Sequence, residues 1–284
     1  MLLCVLPFAA ASVVLQAHWW ATQWAPVAIW TVGLSLLLGL VVFKMRAATP
    51  AAAATGAVIT ASLMFSTSIF HYKPWRTALI PVLVVFLLSF IATRMGWAKK
   101  ERLGTAEKRH GRAASQVAAN LGIAALVSDE LAQSWLMDTR LFSPVGLTPM
   151  PLFAVGLAAL AEAAADTVSS EVGQVLGGRP RMITTLGVVE PGTDGAISLA
   201  GTLTGVFAAG LVAAAGSLAV RGDRYMLAVS WAGGVFGLFF DSLLGATLER
   251  RGWLNNDAVN FLSTASAAVF ALGLLAILRY LGAG

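Results

Sequence analysis

Acidic side chains occur at three places in otherwise apolar sequence, and together they could bind a divalent cation. Glu162, Asp166 and Glu171 lie in AEAAADTVSSEVG, Asp241 lies in FFDSLLGATLERRG, and Asp257 follows the turn GWLNN. Carboxylate oxygens are the ligands that Mg²⁺ prefers. We therefore predict that four of these acids are catalytic and converge on one or two Mg²⁺ ions: Asp166, Glu171, Asp241 and Asp257. Glu162, on the same helix face as Asp166, is a weaker candidate because it can instead offset the charge of an arginine.

Basic and glycine-rich residues follow the first acidic group and are suited to binding phosphate. Arg179 and Arg181 can each contact phosphate oxygens with two parallel hydrogen bonds. Gly192, Thr193 and Gly195 permit close backbone approach, and a helix that begins near Gly195 would point its N-terminal amides at an anion. No Walker loop is present, because no Gly-Lys-Ser or Gly-Lys-Thr follows at the required spacing. Two structural interpretations stay open: ion pairs between these arginines and the acids, and a glycine loop that only caps a helix.

These residues must be positioned by membrane helices, because 58% of the residues are hydrophobic and only 12% are charged. Such a composition is typical of an integral membrane protein. Apolar runs close to the roughly 20 residues that cross a bilayer recur along the chain. We predict an all-α polytopic protein with about nine transmembrane helices, near residues 2–17, 25–43, 51–70, 77–93, 113–127, 149–168, 195–220, 226–248 and 261–281.

The distribution of lysine and arginine predicts the orientation of these helices. With nine helices, thirteen of the 19 basic residues fall in loops on one side, which should be the cytoplasmic side, with the N-terminus inside. Residues 94–112 hold seven of them and divide the chain into N-terminal transmembrane helices (1–93), a basic cytoplasmic segment (94–112) and a catalytic transmembrane portion (113–284). Most of the basic residues between 99 and 109 are interpreted as this orientation signal alone. The net charge of +5 therefore requires no nucleic-acid partner.

Further polar residues share helix faces and could line a site. Arg112, Gln116 and Asn120 lie on one face of the predicted fifth helix. Asn256 and Asn260 are one turn apart on the last helix, although Asn256 can instead cap that helix. The three histidines of the chain are far apart in sequence and do not form a metal-ligand set.

Several motifs resemble those of a known membrane protein family. ADTVSSEVG, PGTDGAISLAGTLTG and WLNNDAVN are similar, in order and separation, to the central blocks of the family of unassigned domain typified by the plant plastid phytyl-phosphate kinase, and AEKRHGR also resembles it. Ala113 and Leu121 depart from the pattern of many members. From these patterns and the resemblance together we predict the following substrate-binding residues: Lys108, Arg109, Arg112, Gln116, Asn120, Ser169, Ser170, Arg179, Arg181, Gly192, Thr193, Gly195, Ser198, Asn255, Asn256 and Asn260.

The resemblance also implies an activity: a membrane kinase that transfers a phosphoryl group from CTP or ATP to an isoprenyl monophosphate, with Mg²⁺. The family is distantly similar to dolichol and phytol kinases and to CTP-dependent lipid cytidylyltransferases, and fold alone does not decide among them. The candidate residues suit this activity, because phosphoryl transfer needs acids for a metal and basic groups for phosphate. Two alternatives stay open: a CTP-dependent lipid-phosphate cytidylyltransferase, and an ion-coupled lipid or small-molecule transporter. We expect the bacterial inner membrane as the location, with the active site facing the cytoplasm and membrane lipids around it.

Overall fold

The computed structural model describes residues 2–106, 111–130, 132–134 and 149–281, with the side chains of the last range described from residue 152. Helices dominate these ranges. They are α1 (Leu2–Lys44), α2 (Pro50–Ser66), a 3-10 turn (Pro74–Arg76), α3 (Leu79–Arg94), α4 (Trp97–Leu103), α5 (Ala114–Ser128), α6 (Pro149–Leu176), α7 (Leu199–Ala219), α8 (Arg224–Leu244), a π-helical turn (Gly245–Glu249) and α9 (Asn256–Tyr280). Two short strands, β1 (Arg181–Met182) and β2 (Ala196–Ile197), pair antiparallel between α6 and α7.

Five of these helices are long and apolar enough to cross a membrane, or six if α3 and α4 form one bent span. The shorter helices α2 and α5 are also apolar. The prediction of a helical membrane protein is therefore confirmed for the described part of the chain. Large apolar side chains are exposed on the outer faces of the bundle, as expected for surfaces that contact lipid.

Helix α1 contains a break that divides it into two apolar halves. Trp24 has non-helical torsion angles (φ −158°, ψ 88°). Pro26 follows two residues later and cannot donate the backbone hydrogen bond that a helix requires there, which explains the position of the break. The two halves contain the first two predicted apolar runs.

The packing of α1 shows that the chain folds back at this break. Val5 lies against Gly122 in the middle of α5, and Gly39 lies against Ala53 at the beginning of α2. The backbone segments before α2 and α5 pair in parallel, so both helices begin at the same end of the molecule. A straight helix would separate positions 5 and 39 by about 50 Å, several times the half-length of α5. Trp24 is therefore the corner of a helical hairpin.

A buried lysine fixes the sharp turn between α3 and α4, whose axes differ by 67°. The Nζ of Lys100 donates to the carbonyl oxygens of Ala92 (2.9 Å) and Thr93 (2.8 Å) in the last turn of α3, and to Glu171 on α6 (2.5 Å). Lys99 donates to a carbonyl in the last turn of α6 (2.8 Å). Both lysines thus cap helix C-termini, where cations are favourable. Their interpretation as an orientation signal alone was wrong.

Helix α6 lies at the centre of the bundle and packs against α3, α5, α7, α8 and α9. Its alanine-rich middle is almost completely buried, and small side chains let the neighbouring backbones approach closely. Gly201 and Gly205 of α7 show this directly, because a Cβ at either position would lie within 3 Å of a backbone carbonyl oxygen of α6. The predicted site residues in the middle of α6 are therefore surrounded by protein.

Candidate functional site

Three carboxylates meet between α6, α8 and α9. Asp166 on α6 interacts directly with Asp241 on α8, and Glu162, one turn before Asp166, interacts electrostatically with both. Ser263 on α9 adds a hydroxyl that interacts with Glu162 and Asp241. The site thus gathers residues that are far apart in the sequence around the central helix.

These carboxylates are buried and incompletely satisfied. Glu162 is only 1% exposed, and its Oε1 atom, like Oδ1 of Asp241, has no hydrogen-bond partner among the described residues. Burying a charged oxygen without a partner is costly, and neighbouring carboxylates repel one another strongly in an apolar interior. The cluster therefore needs a cation or bound protons to offset its charge.

Arg112 lies beside this cluster. Its guanidinium attracts Asp166, and its Nη2 atom is 3.4 Å from the Thr167 hydroxyl. The backbone holds Arg112 in place, since its amide donates to the carbonyl of Ala47 (3.0 Å) and its carbonyl accepts from the amide of Thr49 (3.0 Å). A positive group is thus fixed next to the acids by a contact with the segment between α1 and α2.

A cavity of about 580 Å³ lies on the other side of Arg112, within the size range of small-molecule sites. Its walls come from α1, α2, α3, α5 and α6, and they are mostly apolar. Ala163, beside Glu162 on α6, and Asn120 on α5 form part of the wall. Arg112 therefore has an apolar cavity on one side and the carboxylates on the other.

Polar contacts connect this wall to the last helix. The side chain of Asn260 on α9 donates to Asn120 on α5 (3.0 Å). Both asparagines are among the predicted substrate-binding residues, and the structure brings them together. Their hydrogen bond joins two helices that flank α6.

The structure places Glu171 and Asp257 differently from Asp166 and Asp241. Glu171 forms an ion pair with Lys100, and it also interacts electrostatically with Asp166. Asp257 lies in the first turn of α9, where a negative charge favours the helix N-terminus. Among the described residues, no three histidine, cysteine or acidic side chains form a group that could hold a metal ion. Convergence of all four acids on Mg²⁺ is not observed, and the metal assignment stays a prediction.

The glycine-rich segment forms a small hairpin over one end of the bundle. Gly195 (φ +75°) lies so close to the π-helical turn that a Cβ there would be 2.3 Å from the Ala246 amide nitrogen. Arg181 donates to the carbonyl of Leu186 within the hairpin (2.7 Å), and Arg179 is exposed. Helix α7 begins later than predicted because Ser198 caps it by accepting from Gly201 (3.1 Å).

The remaining predicted substrate-binding residues make local contacts. Gln116 accepts from the amide of Ala113 and Ser170 donates to the carbonyl of Thr167, while Ser169 packs against the glycines of α7. In the hairpin, Thr193 donates to the carbonyl of Glu190, and Gly192 contacts Thr105. Asn255 caps α9, and Asn256 is its exposed first residue. Lys108 and Arg109 lie outside the described residues.

Other residues near the cluster were not predicted from the sequence. Glu249, in the π-helical turn, interacts electrostatically with Asp194 and Asp166, and so extends the acidic group towards the hairpin. Its position two helical turns after Asp241 was a signal for its inclusion. A π-helical turn is itself a frequent feature of functional sites. Arg46 and Arg94 line the apolar cavity and were also missed, because nothing in their local sequence distinguishes them from other loop arginines.

The known proteins that this chain resembles are membrane proteins, which supports its assignment as a membrane protein. Residues 33–268 match the family model described as integral membrane protein DUF92. The chain is 47% identical over 108 residues to an uncharacterised membrane protein of Methanocaldococcus jannaschii, covering 38% of this chain and 45% of that protein. It is 35% identical over 216 residues to an uncharacterised membrane protein of Synechocystis, covering 70% and 74%.

The chain is also similar to a plant protein. The chain is 29% identical over 195 residues to the protein VTE6, chloroplastic, of Arabidopsis thaliana, covering 67% of this chain and 56% of that protein. The match therefore spans about half the length of the archaeal and plant relatives. No solved structure matches the chain significantly.

Proposed function

We propose that this chain, which belongs to the DUF92 family of integral membrane proteins, is a prenyl-phosphate kinase. It would transfer the terminal phosphoryl group of CTP or ATP to an isoprenyl monophosphate, which gives the isoprenyl diphosphate and releases CDP or ADP. The observation that carries this proposal is the position of Arg112 between an apolar cavity and the carboxylates around Asp166. An amphiphilic phosphate needs this combination of an apolar pocket and a cation.

The apolar cavity is evidence that the phosphate acceptor carries an isoprenyl chain. Its walls can exclude water from the chain, while Arg112 contacts the phosphate with charge-assisted hydrogen bonds. The phosphate would then lie beside Asp166. Phosphoryl transfer depends mainly on positioning and charge neutralisation, so these groups suit it without a covalent nucleophile from the protein.

The carboxylate oxygens of this cluster are ligands of the kind that magnesium prefers. Glu162 and Asp241 each hold a buried oxygen that has no hydrogen-bond partner in the part of the chain that the structure describes. Mg²⁺ in phosphate-transfer sites is usually bound by one or two carboxylates together with substrate phosphates, so a cage of three acids is not required. We propose Asp166 and Asp241 as its ligands, with Glu162 close by. When bound, Mg²⁺ would neutralise phosphate charge.

The hairpin between α6 and α7 is the proposed site of the nucleotide phosphates. Its exposed Arg179 and its glycines at positive φ, Gly192 and Gly195, provide charge and close backbone approach. The hairpin contacts the π-helical turn through Gly195, and Glu249 of that turn interacts with Asp166. Donor and acceptor phosphates would thus meet near Asp166.

We further propose nine membrane spans with the N-terminus inside the bacterial inner membrane. The two halves of α1 would be the first two spans, and α2 and α5 would cross despite their shortness. The hairpin and the segment between α8 and α9 would then face the cytoplasm, where nucleotides are available. The excess of basic residues on that side supports this orientation.

The test is product identification with purified protein in lipid nanodiscs. Farnesyl monophosphate and Mg²⁺ are supplied with CTP or ATP that carries a radiolabel on either the α- or the γ-phosphate. We expect the γ-label in farnesyl diphosphate. Appearance of the α-label in a lipid product would establish a cytidylyltransferase instead, and absence of both labels from lipid with either nucleotide would contradict the proposal.

A transporter is the second candidate, because Glu162 lies inside the helix bundle and one of its oxygens has no hydrogen-bond partner within the described ranges. Intramembrane carboxylates of this kind often bind protons or ions along a transport path. Ion-driven uptake of farnesyl monophosphate into proteoliposomes, without nucleotide, would favour that function. We expect no such uptake.

A further inference from the structure

We infer that Arg46 and Arg94 join Arg112 in a binding site for the phosphate head of an isoprenoid whose chain occupies the cavity. The inference rests on the proposed function and adds the residues that hold its acceptor. All three arginines line the same cavity, although they come from the α1–α2 turn, the end of α3 and the segment before α5.

Backbone contacts bring the three arginines to one end of the cavity. The Nη2 atom of Arg94 donates to the carbonyl of Met45 (3.0 Å), the residue before Arg46. The amide of Arg112 donates to the carbonyl of Ala47 (3.0 Å), the residue after Arg46. The turn at 45–47 therefore holds Arg94 on one side and Arg112 on the other. Three positive charges gathered in this way favour a phosphate group.

Arg46 carries an exposed charge at the turn that ends α1. Its positive φ of 55° belongs to the turn that ends α1, in which the amides of Arg46 and Ala47 donate to the carbonyls of Phe43 (2.9 Å) and Val42 (3.1 Å). Among the described residues, its guanidinium has no hydrogen-bond or ion-pair partner. Because this guanidinium is exposed and lines the cavity, it can make charge-assisted hydrogen bonds to a phosphate there.

A buried hydroxyl provides independent support. Ser89 on α3 lines the cavity and is 7% exposed, and its Oγ atom has no hydrogen-bond partner among the described residues. It lies one turn before Thr93, which also lines the cavity, next to Arg94. An unsatisfied hydroxyl in an apolar wall is costly unless a ligand completes it. Ser89 can donate to an oxygen of the phosphate head.

The rest of the cavity specifies an apolar chain. Val82, Val85, Phe86 and Phe90 of α3 form one side, opposite alanines and Gly56 of α2. Helices α2 and α3 make few direct contacts, so the cavity lies in the gap between them. Such a gap suits an acceptor that arrives from the bilayer. A cationic end and an apolar body together recognise a phosphate on a hydrocarbon chain.

The experiment measures binding of radiolabelled farnesyl monophosphate to purified protein in nanodiscs, without nucleotide or Mg²⁺. Arg46→Gly removes the guanidinium and also relieves the positive φ, so this variant should fold at least as well as the parent. We expect Arg46→Gly and Arg94→Ala each to raise Kd about tenfold or more, as loss of a charge-assisted contact should. Arg102→Ala is the control: Arg102 is exposed, and among the described residues its side chain donates only to the Ala98 carbonyl of its own helix, so Kd should change less than about twofold.

Ser89→Ala separates a ligand role from a structural one. Removal of an unsatisfied buried hydroxyl should leave the unliganded protein equally or more stable to heat, yet raise Kd for farnesyl monophosphate about threefold or more. Farnesol, which lacks the phosphate, should bind all the variants as it binds the parent. A Kd unchanged in Arg46→Gly, Arg94→Ala and Ser89→Ala would overturn the inference.

Competition distinguishes the possible sources of phosphate. Inorganic phosphate and dioleoyl phosphatidic acid should each compete weakly with farnesyl monophosphate at matched concentration. Equal competition by inorganic phosphate would indicate a free-phosphate site, and equal competition by phosphatidic acid would indicate a general lipid-phosphate site. Either result would contradict a site for an isoprenyl phosphate. Because no nucleotide is present, binding can succeed where phosphoryl transfer fails, so failure of the proposed kinase activity and failure of this site give different results.

Discussion

Glu162 on α6 lies directly against Gly237 on α8: a Cβ at position 237 would come within 2.4 Å of Glu162 Cγ. The same Cβ would meet Ala267 and the carbonyl of Ser263 on α9. Gly237 therefore creates the space in which the Glu162 side chain reaches the region between the three helices. The geometry of the acidic cluster therefore depends on position 237 being a glycine, which has no side chain.

Gly237→Ala should consequently destabilise the protein by about 1–3 kcal/mol, as overpacking of a tight interior does, and should also reduce turnover by displacing Glu162. Gly273→Ala is the matched control, because Gly273 is also inside a helix but has no atom within 4 Å of the added Cβ. It should be neutral or slightly stabilising. Apparent melting temperatures and turnover in one detergent measure both effects, and similar values for the two variants would contradict this interpretation.

Asp166→Asn should lower turnover at least about a hundredfold, since it removes a central charge of the proposed site. The protein should remain folded, because the amide keeps the size of the carboxyl. Asp223→Asn is the control: Asp223 caps α8 by accepting from Met226, and asparagine caps helices equally well. Steady-state phosphoryl transfer at saturating Mg²⁺ provides the measurement. Near-normal turnover of folded Asp166→Asn would remove Asp166 from the mechanism.

Lys100→Met should destabilise the protein by about 3–5 kcal/mol, because it leaves Glu171 and two helix carbonyls without their buried cation. Lys100→Met combined with Glu171→Met should be less destabilised than Lys100→Met alone. Arg102→Met, in the same helix but exposed, should stay within about 0.5 kcal/mol. A thermal-unfolding double-mutant cycle tests this, and full additivity would show that the pair contributes nothing.

The proposed orientation can be tested by cysteine labelling in a Cys4→Ala background. A membrane-impermeant maleimide should label Arg224→Cys in intact bacterial cells, because the proposal places the beginning of α8 outside. Glu190→Cys, in the hairpin, should react only after permeabilisation. The reverse pattern would mean that the orientation is inverted.

Much of the fold followed from the sequence because membrane helices are encoded by long apolar runs. The predicted runs correspond to the observed helices, apart from shifts such as the later start of α7, where Ser198 caps the helix. The resemblance of the motifs to a membrane protein family is confirmed by the family match. What the runs could not show is the bend at Trp24, which joins two of them into one broken helix.

The site was only partly predictable. Asp166 and Asp241 were selected as acids in apolar sequence, and the structure does bring them together. Glu171 met the same criterion, but its partner Lys100 lies 71 positions earlier and looked like one of several loop cations. Arg46 was missed for a similar reason: its position at the cavity depends on how α1, α3 and α5 meet. Contacts between distant segments, rather than local patterns, decided these cases.

The burial of α6 has a consequence for biogenesis. Of the five long apolar helices, α6 has the lowest mean hydropathy, and protein rather than lipid covers almost all of it. Two of the helices that enclose Glu162 and Asp166, α8 and α9, are synthesised after it. A nascent chain that ends at α6 would expose both carboxyl groups to lipid, at a cost of a few kcal/mol each. The helix that carries the acids should therefore take its final place in the bilayer only when the C-terminal helices arrive.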